Sequence, residues 1–402
     1  MKNIKQWLTF SFILVLLSGC WSAQELTDIT LATAMAIDKD EQGYKITLQV
    51  LNPKEIAGDQ MTQSSTITTY STVGTTIMEG FRGLTQVLPR KVNLSHLQLL
   101  VYGEEMAYDG IGKTLDVLVR DHEIRTDFTI AIAQGLEGAE LISILTPLEE
   151  IPAIKVKSNI ESSENFWAPT KSVHLDELIQ SISTEGKEAI LTGLYIIGDV
   201  ESGASMKTRQ QSGNPTMIYL DGIGVFRGEK LQGWLNENES KGFNYITNNV
   251  SNTVGWVPCD NGGTISVEVT DANTDMKASF VNSKPSIDIT VEIKGNIGDV
   301  ECSIDITDQR SIEEVQKKLE QKTAEFIEAS VTKAQEFQSD IYGFGNAIKR
   351  SNPKEWEKIK DDWNTLFQDL EVNVKVQVDI KKSGMVTKSI YDTIKRKTEK
   401  VD

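Results

Sequence analysis

Residues 286–294 read SIDITVEIK, and residues 371–382 read EVNVKVQVDIKK. In the second stretch Val372, Val374, Val376, Val378 and Ile380 share one face, and polar or charged residues take the other. A period of two belongs to a strand with one dry side, because successive side chains point to opposite faces of the pleat. TISVEVT (264–270) and VECSIDIT (300–307) alternate in the same way, so the last third predicts an antiparallel sheet with one buried face. That face needs a cover. A long helix is expected from Ser311, with Glu314 three residues on as a capping box. Its apolar stripe includes Ile312, Val315, Leu319, Phe326, Ile327, Val331, Ala334 and Phe337. A second helix is expected from Pro353, since proline suits a first turn, and it aligns Trp356, Ile359, Trp363, Leu366, Phe367 and Leu370. Sheet and helices bury each other's apolar sides, which predicts an α+β domain over residues 259–402.

Upstream, LATAMAI (31–37), YKITLQVL (44–51), SSTITTYST (64–72), HLQLLVYG (96–103) and FTIAIAQG (128–135) read as strands. Helical spacing appears at Ile77, Phe81, Leu84 and Leu88, again at Ile111, Leu115, Leu118 and Val119, and in GAELISIL. Residues 20–150 therefore form an N-terminal α/β domain. Residues 147–171, with Pro147, Pro152 and Pro169, read as an extended linker. A short helix follows at 173–182, and AILTGLYIIGD (189–199) and MIYLDGIGVFRGEKLQGWL (217–235) read as strands with a hairpin at RGEK. Together they predict a middle, mostly-β domain over 151–258, with a polar loop at 200–215. The fold class is α+β, three mixed α/β domains.

The compartment follows from the start of the chain. Lys2 and Lys5 precede an uncharged, mostly apolar run at residues 7–17. A bilayer-spanning helix needs about 20 such residues, so this shorter run matches a signal-peptide core. Leu17, Ser18, Gly19 and Cys20 then form a bacterial lipobox, with small residues beside the thiol that takes the lipid. Residues 1–19 are expected to be removed and Cys20 to be lipidated. Two or more acyl chains give stable anchoring where one gives only marginal anchoring.

With 41 basic against 58 acidic side chains, the net charge is −17. That balance disfavours nucleic acid as a partner, whose phosphates need a basic surface. It also leaves attachment to the membrane to the lipid. Besides the anchor only Cys259 and Cys302 remain. They could pair, closing a loop worth about 4 kcal/mol in the chain-entropy model, or stand as two free thiols; spacing alone does not decide.

Four blocks in order give the chain a resemblance. They are GCWSAQELTDITLATAMAID (19–38), LSHLQLLVYGEEMAYDGIGKTLDVLVRDHEIR (94–125), LDGIGVFRGEKLQGWL (220–235) and AQEFQSDIYGFGNAIKRSNPKEWEKIKDDWNTLF (334–367). The second carries Arg120, Asp121, Glu123, Ile124 and Arg125; the fourth carries Asp340, Gly343, Gly345, Pro353, Trp356 and Trp363. The chain resembles the Ger(x)C family, the lipoprotein C subunits of spore germinant receptors. It departs from that pattern at Ser22, where an acidic residue is usual. The resemblance implies a three-domain body on the outer face of the spore inner membrane. There it would work with integral-membrane A and B subunits in nutrient-triggered germination; whether it contacts nutrient is not implied.

Catalysis finds little footing in the residues. His96, His122 and His174 are the only histidines, and none has metal-ligand spacing. Gly222 and Gly224 form a lone Gly-x-Gly followed by a strand, whereas a dinucleotide fingerprint needs a helix there. No cofactor is implied. In DIYGFGNAIKRSNP (340–353), two glycines interrupt a long helix. One reading is an interhelix turn with positive backbone angles at Gly343 and Gly345; the other is a docking surface. Candidate subunit contacts are thus Arg120, Asp121, Arg125, Asp340, Gly343 and Gly345. The rival function is a solute-binding lipoprotein presenting a small nutrient to a transporter, which usually shows two mainly parallel α/β lobes.

Overall fold

Two sheets, each covered by helices, share one continuous core. The computed structural model describes residues 29–52, 55, 64–210, 213, 216–260, 262–281 and 284–383. In chain order the first sheet takes β1 (Ile29–Asp40), β2 (Gly43–Leu51), β3 (Ile67–Gly74), β4 (Lys91–Asn93), β5 (Leu99–Gly103), β6 (Thr129–Ala133), β7 (Ile190–Ile197), β8 (Met217–Arg227) and β9 (Lys230–Leu235). Its order is β3-β2-β1-β5-β6-β7-β8-β9, with β4 beside the start of β1. β1, β5, β6 and β7 run parallel, and the two flanks are antiparallel hairpins.

The helices follow from burial on both faces of the parallel strands. Five are labelled here: α1 (Ile77–Gly83), α2 (Gly112–Arg120), α3 (Gly138–Ser143), α4 (Pro152–Phe166) and α5 (Leu175–Ser183). On one face Leu141, Ile142, Val156 and Ile160 pack against Ala34, Ala36, Val101 and Ala131. Small alanines on the strands let these helices come close. On the other face Leu115, Leu118, Leu175 and Leu178 cover Met35, Leu100, Ile130 and Ile132.

α6 (Glu237–Ile246) leads into the second sheet, of β10 (Thr253–Pro258), β11 (Thr264–Val281), β12 (Lys284–Val300) and β13 (Glu371–Ser383), in that order. Between β12 and β13 lie α7 (Gln309–Glu336), α8 (Phe344–Ser351), α9 (Pro353–Ile359) and α10 (Trp363–Gln368). The dry face carries Val267, Val269, Ile287, Ile289, Val291, Ile293, Val378 and Ile380, and Val315, Leu319, Ile327 and Val331 of α7 join it in one core.

The α+β class holds, and seven local expectations change. β13 pairs parallel to β12, Ile287 opposite Val372, so the second sheet is mixed and not purely antiparallel. α7, about 42 Å long at 1.5 Å per residue, carries the chain back to the end of the sheet where β12 began. Residues 301–307 carry no strand, because β11 starts at Thr264, whose carbonyl takes the Glu301 N–H and leaves no further strand to pair with beyond it. Residues 152–166 form a helix where an extended linker was expected; its buried residues are only Pro152, Ala153, Val156 and Ile160, too sparse a stripe to stand out. The strands assigned to a middle domain, β7 to β9, extend the first sheet, β7 lying along β6. α7 starts before Ser311, capped by Asp308, and the helix expected from Pro353 is split by a tight turn at Lys360–Asp362. His96 lies in an exposed turn before β5 instead of opening it.

Candidate functional site

The two sheets are stitched together where the chain leaves α7. Ser339 and Asp340 are fully buried there. The Ser339 hydroxyl donates to the Phe226 carbonyl at the end of β8. The Glu188 N–H, just before β7, donates to the Asp340 carbonyl at 2.8 Å. Arg227 donates to Gln338 Oε1 at 2.9 Å. The Glu188 carboxylate in turn accepts from the Gly228 N–H at 2.6 Å and from Asn364 Nδ2 at 3.3 Å. One buried loop therefore touches β7, β8 and α10 at once.

The Asp340 side chain organises that loop. Its Oδ1 accepts from the N–H groups of Gly343 at 2.9 Å and Phe344 at 3.0 Å, and its Oδ2 from the Gly345 N–H at 2.8 Å and Trp363 Nε1 at 3.0 Å. These backbone groups are the orphan donors at the start of α8, which a carboxylate satisfies well. Burial pushes its pKa up to about 6, while the four donors pull it back toward the charged form. Gly343 has φ 78°, left-handed geometry that favours glycine. Gly345 is different. It lies inside α8, and a Cβ there would sit 2.6 Å from Gly186 Cα and 2.8 Å from ring atoms of Trp356 and Trp363. Close packing, not backbone angle, requires that second glycine. Aromatic rings extend the contact: Trp356 meets Trp363 edge-on at 5.5 Å, Phe344 stacks on Tyr342 at 4.9 Å, and Tyr342 reaches Phe243 of α6 at 5.8 Å.

The candidate contact residues thus separate into two groups. Asp340, Gly343 and Gly345 are buried and present no side chain to solvent. Arg120, Asp121 and Arg125 lie together at the end of α2 and in the turn before β6. Arg120 pairs with Asp116 and Arg125 with Asp127, each at 2.7 Å, and both arginine side chains are exposed. Asp121 accepts from the Glu123 N–H at 2.9 Å. His122 is exposed, and His174 Nδ1 sits 3.0 Å from the Phe128 carbonyl. Cys259 and Cys302, left open in the sequence, are disulfide-bonded with their Cα atoms 6.5 Å apart. The bridge joins the residue after β10 to the segment that leaves β12. Cys20 lies outside the described residues.

Sequence reasoning passed over two features. Glu188 is a polar residue in an unremarked turn, and only tertiary contact shows that it joins β7 to α10. The other is a concavity of about 360 Å³ at the carboxyl ends of β1, β5 and β6, lined by Asp38, Lys39, Glu104, Glu137 and Glu140 among others. Open α/β sheets place ligands at such ends. Asp38, 1% exposed, accepts from the Gly138 N–H at 2.6 Å and the Ala139 N–H at 3.0 Å. Burial raises its pKa to about 6 against those two donors. Glu104 accepts from the Gly135 N–H and from Trp234 Nε1, each at 2.9 Å. Among the described residues no group of three or more His, Cys, Asp or Glu could hold a metal ion. No helix among them is long and apolar enough to cross a membrane.

Comparison with known proteins places the whole chain in one company. Residues 22–195 match the family described as spore germination protein N-terminal domain, and residues 221–384 match spore germination B3/GerAC like, C-terminal. Spore germination protein KC of Bacillus subtilis is 28% identical over 382 residues, 92% of this chain and 93% of that protein. Spore germination protein A3 of the same organism is 24% identical over 92% of this chain and 95% of its own length. The crystal structure of the GerBC protein superposes with a TM-score of 0.56 at 20% identity, covering 86% of this chain and 96% of that one.

Proposed function

Because the chain belongs to the Ger(x)C family of spore germination proteins, matched in both its N-terminal and C-terminal parts, we propose that it is the lipid-anchored C subunit of a nutrient germinant receptor. In this reading residues 1–19 are a discarded signal and Cys20 carries the lipid. The body lies on the outer face of the spore inner membrane and acts through contact with the integral-membrane A and B subunits, not by catalysis. The observation that carries the reading is the family match over nearly the full length, with the stitched loop at Asp340 joining the two matched parts. A rigid two-sheet body suits a subunit that works by holding surfaces in register. Arg120, Asp121 and Arg125, gathered on an exposed turn, are the surface we assign to subunit contact.

The test uses spores carrying Cys20→Ala. They are expected to lose the protein from the membrane fraction and to lose nutrient-triggered germination, while still germinating with a non-nutrient trigger. Normal nutrient response with the protein still in the membrane fraction overturns the reading. Arg120→Glu with Arg125→Glu is expected to leave abundance unchanged and to reduce co-purification of the membrane subunits.

The solute-binding alternative draws on the acidic concavity beside Asp38. Saturable thermal stabilisation of the purified chain by an amino acid or sugar at micromolar concentration would favour it; no shift with any of them disfavours it.

A further inference from the structure

Two tryptophans and two lysines interleave beside the seam between the sheets. The Lys241 ammonium sits 3.6 Å from the centroid of the Trp167 ring, and the Lys322 ammonium 3.2 Å from that of Trp256. The two pairs adjoin, since Thr253 donates to the Trp167 carbonyl at 2.9 Å three residues before Trp256. Lys241 is tied to Glu237 at 2.9 Å, whereas Lys322 donates to the Trp256 carbonyl at 2.9 Å. Burial, with the like charge of Lys241 adding to it, lowers the Lys322 pKa. Glu325 offsets part of this, and a further anion beside Lys322 would offset more. Yet the rings face outward: Trp167 is 44% and Trp256 52% exposed, with Phe166 and Val254 exposed beside them.

β10 is an edge strand, so strand addition by a partner is the first occupant to weigh. Lys318 and Lys322 donate to the carbonyls of Pro258 and Trp256 at 3.1 and 2.9 Å, occupying acceptors that an added strand would use. What is left outward is indole, phenyl and isopropyl over lysine. That combination suits a membrane–water interface, where aromatic rings lie at headgroup depth and lysine stems run along them toward phosphate. With residues 1–19 and their two lysines removed, the net charge goes from −17 to −19; such a body is repelled by an anionic leaflet, so resting there takes a local patch of this kind. Cys20 and Ile29 are nine positions apart, a tether of at most about 30 Å.

We propose that Phe166, Trp167, Val254 and Trp256 rest in the headgroup layer of the membrane that holds the chain, with a lipid phosphate taken at Lys322 beside Lys241. The proposal rests on the reading of Cys20 as a lipid anchor. The test is tryptophan quenching of the full lipidated chain in phosphatidylglycerol vesicles whose acyl chains are brominated. Trp21, next to the anchor, reports anchoring, so the patch is read in a Trp21→Phe chain. Quenching is expected to persist in that chain and to vanish when Trp167→Phe and Trp256→Phe are added. Lys322→Gln is expected to reduce it several-fold. Ring-for-ring substitution keeps the fold, checked by an unchanged thermal midpoint. An unquenched Trp21→Phe chain that still floats with the vesicles overturns the patch and keeps the anchor. Quenching of Trp167 and Trp256 without quenching of Trp21 keeps the patch and overturns the anchor. A photo-crosslinker at position 166 that captures protein and no lipid in spore membranes overturns the patch in favour of a subunit.

Discussion

Trp363 donates its indole N–H to the Asp340 carboxylate at 3.0 Å, and both side chains are buried. The bond ties α10 to the loop that starts α8, and Asp340 ties that loop to β7 through its own carbonyl. One residue therefore links the C-terminal helices to the first sheet.

Asp340→Ala removes the acceptor of four buried N–H groups. An unsatisfied buried donor costs about 1–3 kcal/mol. Urea unfolding at pH 7 is expected to show a loss of at least about 3 kcal/mol, allowing for partial relaxation. Asp340→Asn keeps one oxygen and should lose less. A variant as stable as wild type would mean that these bonds are not made.

The two glycines of the loop are expected to fail for different reasons. Gly343→Ala forces a side chain into a left-handed backbone at a cost of about 1–2 kcal/mol, and Gly343→Asn should recover part of it. Gly345→Ala drives a methyl into Gly186, Trp356 and Trp363, a cost of about 1–3 kcal/mol or more, and Asn there should be worse still. Paired thermal midpoints of the four variants check this; rescue by Asn at both positions would contradict the packing account.

Reducing Cys259–Cys302, which spans 43 positions, is expected to lower stability by about 4 kcal/mol in the chain-entropy model. Unfolding curves with and without dithiothreitol measure it. Cys259→Ser with Cys302→Ser should behave like the reduced protein and stop responding to the reductant.

A pH effect is expected at Asp38. Its pKa is raised from 3.8 to about 6 by burial, so the unfolded chain ionises first as pH rises. The stability it contributes is full below about pH 4 and is lost as pH rises through about 6. Asn does not ionise. The stability of Asp38→Asn relative to wild type should therefore rise by about 2 kcal/mol between pH 4 and pH 7. Chemical denaturation across that range tests it, and a difference independent of pH would refute it.

Much of this architecture was legible before any coordinates. The alternation at Val372, Val374, Val376, Val378 and Ile380 marked β13, and Val315, Leu319, Ile327 and Val331 marked the buried stripe of α7. The Asp340 loop was legible as a break at two glycines. Its purpose was not, because the partners of Asp340 and Glu188 come from β7, β8 and α10, far away in the chain. α4 was missed since four small or medium apolar residues suffice against a sheet face rich in alanine.

The residue order by itself determined where the strands and helices lie, which of their faces are dry, the family, and the signal-like start before Cys20. Only the tertiary structure decided that β13 runs parallel to β12, that β7 to β9 extend the first sheet, that Cys259 meets Cys302, and that Asp340 is buried while Trp167 and Trp256 are not. Local periodicity records that a face must be covered; it holds no record of which neighbour covers it, because that choice is made by packing between segments far apart in the chain.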